Sequence, residues 1–193
     1  HCLAYGVTNA HVQALEVVLP SGEIAMLGGL DAEPAGLDLR GAFVGSEGTL
    51  GITTKIAVTI TPDAPAVKTL LLSFETVRDA ANTVSQIIAA GMVPAALEVM
   101  DQRITVAVEN YVNAGYPRDA GAVLLAEVDG LAESIEIDAE RIAQIGNDNN
   151  AIEVRTAADE TERAALWKGR KTAFGAVAQI APDYYLHDTV VPR

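Results

Sequence analysis

Glycine is densest at Gly45-Ser46-Glu47-Gly48-Thr49-Leu50-Gly51-Ile52. Glycines this close together leave backbone N–H groups unshielded by side chains, so the loop can approach a phosphate or a flat cofactor and donate hydrogen bonds to it. The same spacing also serves as a plain structural turn, and both readings stand on spacing alone. The loop is not a Walker loop, because it lacks Gly-Lys-Ser/Thr, and it is not a G-x-G-x-x-G following a strand. Tyr5-Gly6-Val7-Thr8 is a second candidate that means little by itself. The third is Trp167-Lys168-Gly169-Arg170-Lys171. Arg170 follows the only Trp by three residues, so the two project from one helix face. Such an arginine can clamp a carboxylate bidentately, or it can lay its stem over the core with its head in water.

The remaining reactive residue types do not assemble a site. His1 and His11 flank a strand start, and His187-Asp188 reads as an acid–base pair, one metal ligand or a surface residue. No His-x-x-x-His or Cys/His spacing points to zinc, so no metal site is expected. A nucleophile role for Cys2 is weakly supported, and no Gly-x-Ser-x-Gly elbow occurs.

The elements that must position these residues fall into two styles. Up to about Pro62 the chain reads as strand and turn: His11 to Pro20, a turn at Ser21-Gly22, Glu23 to Leu27, an ambiguous Asp38 to Val44, and an alternating, half-buried strand from Thr53 to Thr61. Pro62-Asp63-Ala64-Pro65 stops that grammar. Beyond it strands (68–74, 93–100, 122–128, 151–155) alternate with helices (76–90, 101–114, 133–145 and a long one over 158–178). This pattern predicts a mixed α/β or α+β domain in the second part, with helices layered on one face of a sheet.

Composition narrows the function classes. Half of the 193 residues are hydrophobic, enough for a core and too many for a disordered chain. With 26 acidic against 13 basic residues the net charge is −13, which argues against a nucleic-acid surface. No apolar run reaches the ~18 residues of a membrane span, and a single cysteine forms no internal disulfide. A cytoplasmic protein is expected. The chain starts at His1 without an initiator Met and ends in the apolar run Val190-Val191-Pro192-Arg193, so an internal stretch of a longer protein is expected.

Taken together, Tyr5-Gly6-x-Thr8, Leu15-Glu16-Val17-Val18-Leu19-Pro20-x-Gly22 and Gly45 to Ile52 resemble the FAD-linked oxidases with the vanillyl-alcohol-oxidase type flavin fold. Pro94 to Asp101, Asn110-Tyr111 with Gly115-Tyr116-Pro117, Trp167-x-x-Arg170 and Asp188-x-x-Val191-Pro192-Arg193 resemble the glycolate oxidase and D-lactate dehydrogenase branch. The resemblance implies the end of a flavin-binding α+β domain over residues 1–62, followed over 66–193 by a cap domain with a sheet covered by helices. It implies FAD contacts at Tyr5, Gly6, Thr8, Gly45, Ser46, Glu47, Gly48, Gly51 and Ile52. Arg170 would hold the carboxylate of a 2-hydroxy acid, which is oxidised to the 2-oxo acid by hydride transfer to the flavin. The family's pyrophosphate loop would precede His1, and its His-x-x-Gly-Asp-Gly segment, with the metal-binding and catalytic histidines, would follow Arg193. No catalytic residue is therefore expected within the chain, and these residues alone should not turn over. Small 2-hydroxy acids and other oxidase subunits are the implied partners. A reading from another class is a non-catalytic cap or assembly module of a flavin-containing multi-subunit complex.

Overall fold

A computed structural model describes residues 2–30 and 36–190. His1 and the expected Val191-Pro192-Arg193 motif lie outside the described residues. The chain divides into two compact units, His1–Asp63 and Ala64–Arg193.

The first unit opens with two single helical turns, α1 (Cys2–Tyr5) and α2 (Thr8–His11), where only strand and turn are expected. Strand β1 (Val12–Val18) then lies between β2 (Ile24–Gly28) and β3 (Ile52–Val58), antiparallel to both. The ambiguous 38–44 segment is a short helix, α3 (Leu39–Phe43), begun by the Asp38 side chain, which accepts the Gly41 N–H at 2.9 Å. Arg40 of α3 donates to the Val12 carbonyl at 2.7 Å, which ties the helix to β1. Phe43 thereby packs with Val12, Leu15 and Val17 in a small core. The half-burial expected for the third strand is not found: Ile52, Ile56 and Val58 are all exposed. β3 is paired through β1 only, and its apolar side chains have no layer laid across them among the described residues.

The second unit is a sheet in the order β5–β6–β4–β7, every neighbouring pair antiparallel. Its chain order is β4 (Ala66–Phe74), α4 (Val77–Ala89), β5 (Ala96–Asp101), α5 (Gln102–Val112), β6 (Ala122–Gly130), α6 (Ala132–Asp148), β7 (Ala151–Thr156), α7 (Glu160–Lys171) and α8 (Ala173–Val177). Pro94 has no N–H to give a ladder, and β5 starts later than expected, at Ala96. The expected long last helix is two helices. Thr172 turns its hydroxyl back onto the carbonyls of Lys168 (2.8 Å) and Gly169 (3.2 Å), competing with the helix ladder at the break. Helix α5 ends on Asn113 in the left-handed region, ahead of the expected stop at Gly115.

Both sheet faces are covered, not one. Leu70, Leu72, Phe74, Leu124 and Ala126 point to the α4/α6 side, packing with Ala80, Ile87, Ile135 and Ile142. One residue along each strand, Leu71, Val123 and Leu125 point to the other side, against Val108 of α5, Leu166 and Trp167 of α7 and Ala176 of α8. That is why Leu70 to Leu72 and Ala122 to Ala126 are continuous apolar runs without alternation. Each of these fully buried leucines and isoleucines contributes about 1.5–3 kcal/mol relative to exposure.

Candidate functional site

Two cavities hold the residues singled out by the sequence, one in each unit. The first has a volume of about 350 Å³ and is lined by Thr8, Val12, Leu15, Phe43, Val44, Gly45 to Gly48, Gly51, Ile52, Thr53 and Ile56. It gathers seven of the nine expected flavin-contacting positions; Tyr5 and Gly6 lie outside its lining. The Tyr5 carbonyl instead accepts from His11 Nε2 at 2.7 Å.

The glycine loop divides by role. Gly45 and Gly48 have φ of +87° and +78°, and a Cβ on either would project into open space. Between them Glu47 also takes a left-handed φ of +52°, a conformation that costs a non-glycine residue about 1 kcal/mol. Ser46 and Thr49 donate their N–H groups to the carbonyls of Phe43 and Ser46. Those of Glu47 and Gly48 have no protein acceptor among the described residues. Gly51 is different: a Cβ there would stand 2.6 Å from the Val18 carbonyl, so its place is set by the approach of β3 to β1. An apolar wall beside bare, unspent N–H groups fits a flat ring system with acceptor atoms on its edge, and a flavin is such a group.

The second cavity, of about 360 Å³, lies within the second unit against α7 and α8. Arg170 lines it together with Val99, Met100, Ile104, Phe174 and Tyr184, among other apolar side chains. The head of Arg170 is not simply in water. Its Nε donates to Oε2 of Glu98 on β5 at 2.9 Å, and Nη2 stands 2.8 Å from the same oxygen as an ion pair. Nη1 has no protein partner among the described residues, so the end of the guanidinium fork is available to a ligand.

The rest of the α7 face explains how Arg170 is held. Arg163, Trp167 and Arg170 recur at i, i+4 and i+7, forming one stripe toward the sheet. Arg163 and Trp167 both donate to Glu127, which stands on the same sheet face as Leu125 and accepts the hydroxyl of its cross-strand neighbour Thr69 at 2.6 Å. Glu127 is buried, and its partner Arg163 has its guanidinium held more strongly protonated than usual, first by the hydrogen bond it donates to that carboxylate. On the far side of α7 the Tyr116 hydroxyl donates to the Leu166 carbonyl. Burial pushes that phenol well above its usual range, and the nearby Glu109 charge adds to the shift. Gly169 lets the helix lie this close: a Cβ there would be 2.6 Å from Tyr116 Cε2 and 2.7 Å from Ala114 Cβ.

Glu127 has no role in the sequence reading, and Tyr116 enters it only within the Gly115-Tyr116-Pro117 segment of the resemblance. For Glu127 a signal exists, a lone acid inside the apolar run Ala122 to Val128. For the Glu98–Arg170 pair there is none short of the fold, because the partners lie 72 residues apart. His187 packs its ring on Tyr185 at 4.7 Å between centroids. Among the described residues no three His, Cys, Asp or Glu side chains come together as a metal site, and no helix is long and apolar enough to cross a membrane.

Comparison with known proteins follows the same division of the chain. Residues 64–193 match the family model described as FAD linked oxidases, C-terminal domain. The chain is 44% identical over its whole length to the glycolate oxidase subunit GlcD of Escherichia coli K12, covering 39% of that protein. It is 46% identical over 99% of its length to the GlcD subunit of Bacillus subtilis, covering 41% of it. With a D-lactate dehydrogenase of Anaerostipes hadrus it shares 32% identity over 97% of its length, covering 41%. The chain thus spans about two fifths of the curated relatives it matches. Among solved structures, an alkyldihydroxyacetonephosphate synthase superposes over 93% of the chain and 35% of its own, with a TM-score of 0.67 and 19% identity. The 4-ethylphenol oxidase of Gulosibacter chungangensis does so over 90% of the chain and 41% of its own, with a TM-score of 0.65 and 20% identity. At those identities the likeness concerns the fold alone. On the strength of its second unit, the chain belongs to the family of FAD-linked oxidases.

Proposed function

We propose that the chain is part of an FAD-dependent dehydrogenase that oxidises a 2-hydroxy acid to the corresponding 2-oxo acid, with glycolate or D-lactate as the simplest substrate types. Residues 1–62 belong on this reading to the flavin-binding domain and 66–193 to the substrate cap. The names of the relatives, glycolate oxidase subunit and D-lactate dehydrogenase, support it. The structural observation that carries it is Arg170: a cation on a rigid helix, lining a cavity, with Nη1 free to receive a carboxylate.

The chemistry asks for three services. The substrate carboxylate must be held so that its α-carbon is presented in one orientation, and Arg170 supplies the charge-assisted contact. The hydroxyl proton and the α-hydrogen with its electron pair must leave; FAD, when bound, supplies the acceptor for that pair. The cofactor must be seated, and the N–H groups of Glu47 and Gly48, the open faces of Gly45 and Gly48, and Ser46, Thr8 and Ile52 are the place for it. Tyr5 and Gly6 complete the cofactor set, and Gly51 contributes by holding the loop against β1. The base that takes the hydroxyl proton is assigned to no residue of this chain. Other subunits are proposed as partners, since two of the relatives are named as subunits.

The test is a screen of the complete protein with glycolate, D- and L-lactate and larger 2-hydroxy acids, using an artificial dye as electron acceptor. Turnover of 2-hydroxy acids, with none of the corresponding 3-hydroxy acids, is expected. No turnover of any 2-hydroxy acid by protein that carries flavin overturns the proposal.

A further inference from the structure

The walls around Arg170 bear on more of the acid than its carboxylate. The cavity is bounded by Val99, Met100, Ile104, Phe174, Val177 and Leu186, and Arg170 is its only cation among the described residues. The charge of that cation is already shared: one oxygen of Glu98 accepts from Nε at 2.9 Å and lies 2.8 Å from Nη2 in an ion pair. We infer that the site selects 2-hydroxy monocarboxylates with an apolar, preferably branched, side chain, and that Glu98 is the positioning residue that turns the Arg170 fork toward them and disfavours a second carboxylate. This inference rests on the proposed 2-hydroxy-acid activity.

A ligand carboxylate that meets the free end of the fork completes the coordination of Arg170, with Glu98 on one edge and the substrate on the other. One guanidinium then faces two carboxylates. A third carboxylate, at the far end of a dicarboxylic substrate, would enter apolar walls with no cation left to meet it, and its charge would lose hydration without compensation. An alkyl side chain entering the same space displaces water from apolar surface, which favours binding. Glycolate has no such side chain and leaves the walls wet. Tyr184 and Tyr185, half and mostly exposed, stand at the rim, where a ring presents an apolar body to the substrate and its hydroxyl to water.

Glu98 acts through Arg170. Its loss should move selectivity and not simply lower activity, because a carboxylate there opposes a dicarboxylate more than a monocarboxylate. A purely structural contribution would lower both substrates alike.

The experiment compares kcat/KM of the complete FAD-loaded protein for glycolate, 2-hydroxy-4-methylpentanoate and 2-hydroxyglutarate, each chiral acid as both enantiomers. Binding of the matching oxo acids, 4-methyl-2-oxopentanoate and 2-oxoglutarate, is measured by calorimetry. The branched acid is expected to exceed glycolate by about 10-fold or more, the worth of filling an apolar pocket with a few methylenes. It is expected to exceed 2-hydroxyglutarate by about 10-fold or more, with the oxo acids binding in the same order. In Glu98→Gln the dicarboxylate-to-monocarboxylate ratio should rise about 10-fold. Preference for 2-hydroxyglutarate, or for glycolate over the branched acid, overturns the inference while leaving 2-hydroxy-acid oxidation standing. No turnover of any of the three overturns the proposed activity itself. An unchanged ratio in Glu98→Gln removes Glu98 from the selection, and if that variant does not fold, the order of oxo-acid binding to the unaltered protein still decides the substrate class.

Discussion

The indole nitrogen of Trp167 donates to Oε2 of Glu127 at 2.5 Å, joining the middle of α7 to the buried face of β6. Arg163 reaches the same carboxylate through Nε at 3.0 Å, and Thr69 donates to it from the neighbouring strand. Glu127 therefore sets both the height and the rotation of the helix that carries Arg170. A buried carboxylate that takes donors from a helix and a neighbouring strand is costly to break, because each donor left behind loses a partner in a low-dielectric place. Glu127→Ala should destabilise the protein by about 3 kcal/mol. Denaturant unfolding of the complete protein measures this, and a change below about 1 kcal/mol would deny Glu127 its place at the centre of the network.

Arg170→Ala removes the only cation that lines the second cavity among the described residues. It should lower kcat/KM for the best 2-hydroxy acid by about 10²–10³, the loss of a charged contact of a few kcal/mol. Arg170→Lys should recover only part of that, since an ammonium lacks the flat fork. Steady-state kinetics with wild-type stability as a control reads the effect. Unchanged kinetics would reduce Arg170 to a surface side chain paired with Glu98.

Gly169→Ala pits helix propensity against space. Alanine gains up to ~1 kcal/mol in a helix interior. Its methyl would meet Tyr116 and Ala114 at 2.6 and 2.7 Å, however, and neither is the loose end of a flexible side chain. Overpacking of this kind costs about 1–3 kcal/mol, so a net loss is expected and a fall in Tm of several degrees should accompany it. A rise in Tm would show that α7 slides away from Tyr116 without penalty.

The helix caps make part of the stability acid-sensitive. The Thr76 hydroxyl first, and then the Asn150 amide, hold the Asp79 carboxyl below its usual range. The Gly41 N–H first, and then Arg40, do the same for Asp38. A depressed carboxyl stabilises the folded state above its unfolded pKa, near pH 4, and loses that contribution as the pH falls through its folded value. Stability should be level from neutral pH to about 5 with respect to these groups and decline below about 4. In Asp79→Asn the decline should be shallower, which urea midpoints across the pH range would show. An identical acid limb would mean that the Thr76 cap contributes equally with a neutral side chain.

Local signals in the sequence carried most of the second unit. The strands expected over 68–74 and 122–128, the helices over 76–90 and 101–114 and the strand–helix alternation all mark elements that the structure contains. The covering of the second sheet face was not legible, because a continuous apolar run reports burial but not which helix supplies it. The break at Thr172 depends on a hydroxyl choosing a carbonyl within its own helix, and no periodicity announces that choice. At the sites the same limit applies. Gly45, Gly48 and Arg170 stand out by type and spacing, while Glu98, the partner of Arg170, is fixed only when distant segments pair. Thr53 to Thr61 misleads for the opposite reason: alternation normally signals one covered face, and Ile52, Ile56 and Val58 are exposed on β3.

The proposal that this chain serves an FAD-dependent oxidation of 2-hydroxy acids is tested most directly by the visible absorbance of the purified complete protein, recorded without oxygen before and after addition of a 2-hydroxy acid. A flavin spectrum at one FAD per chain that bleaches with the acid is expected, with a much slower bleaching in Arg170→Ala. A complete protein that binds no flavin, or a bound flavin that no 2-hydroxy acid bleaches, would contradict it.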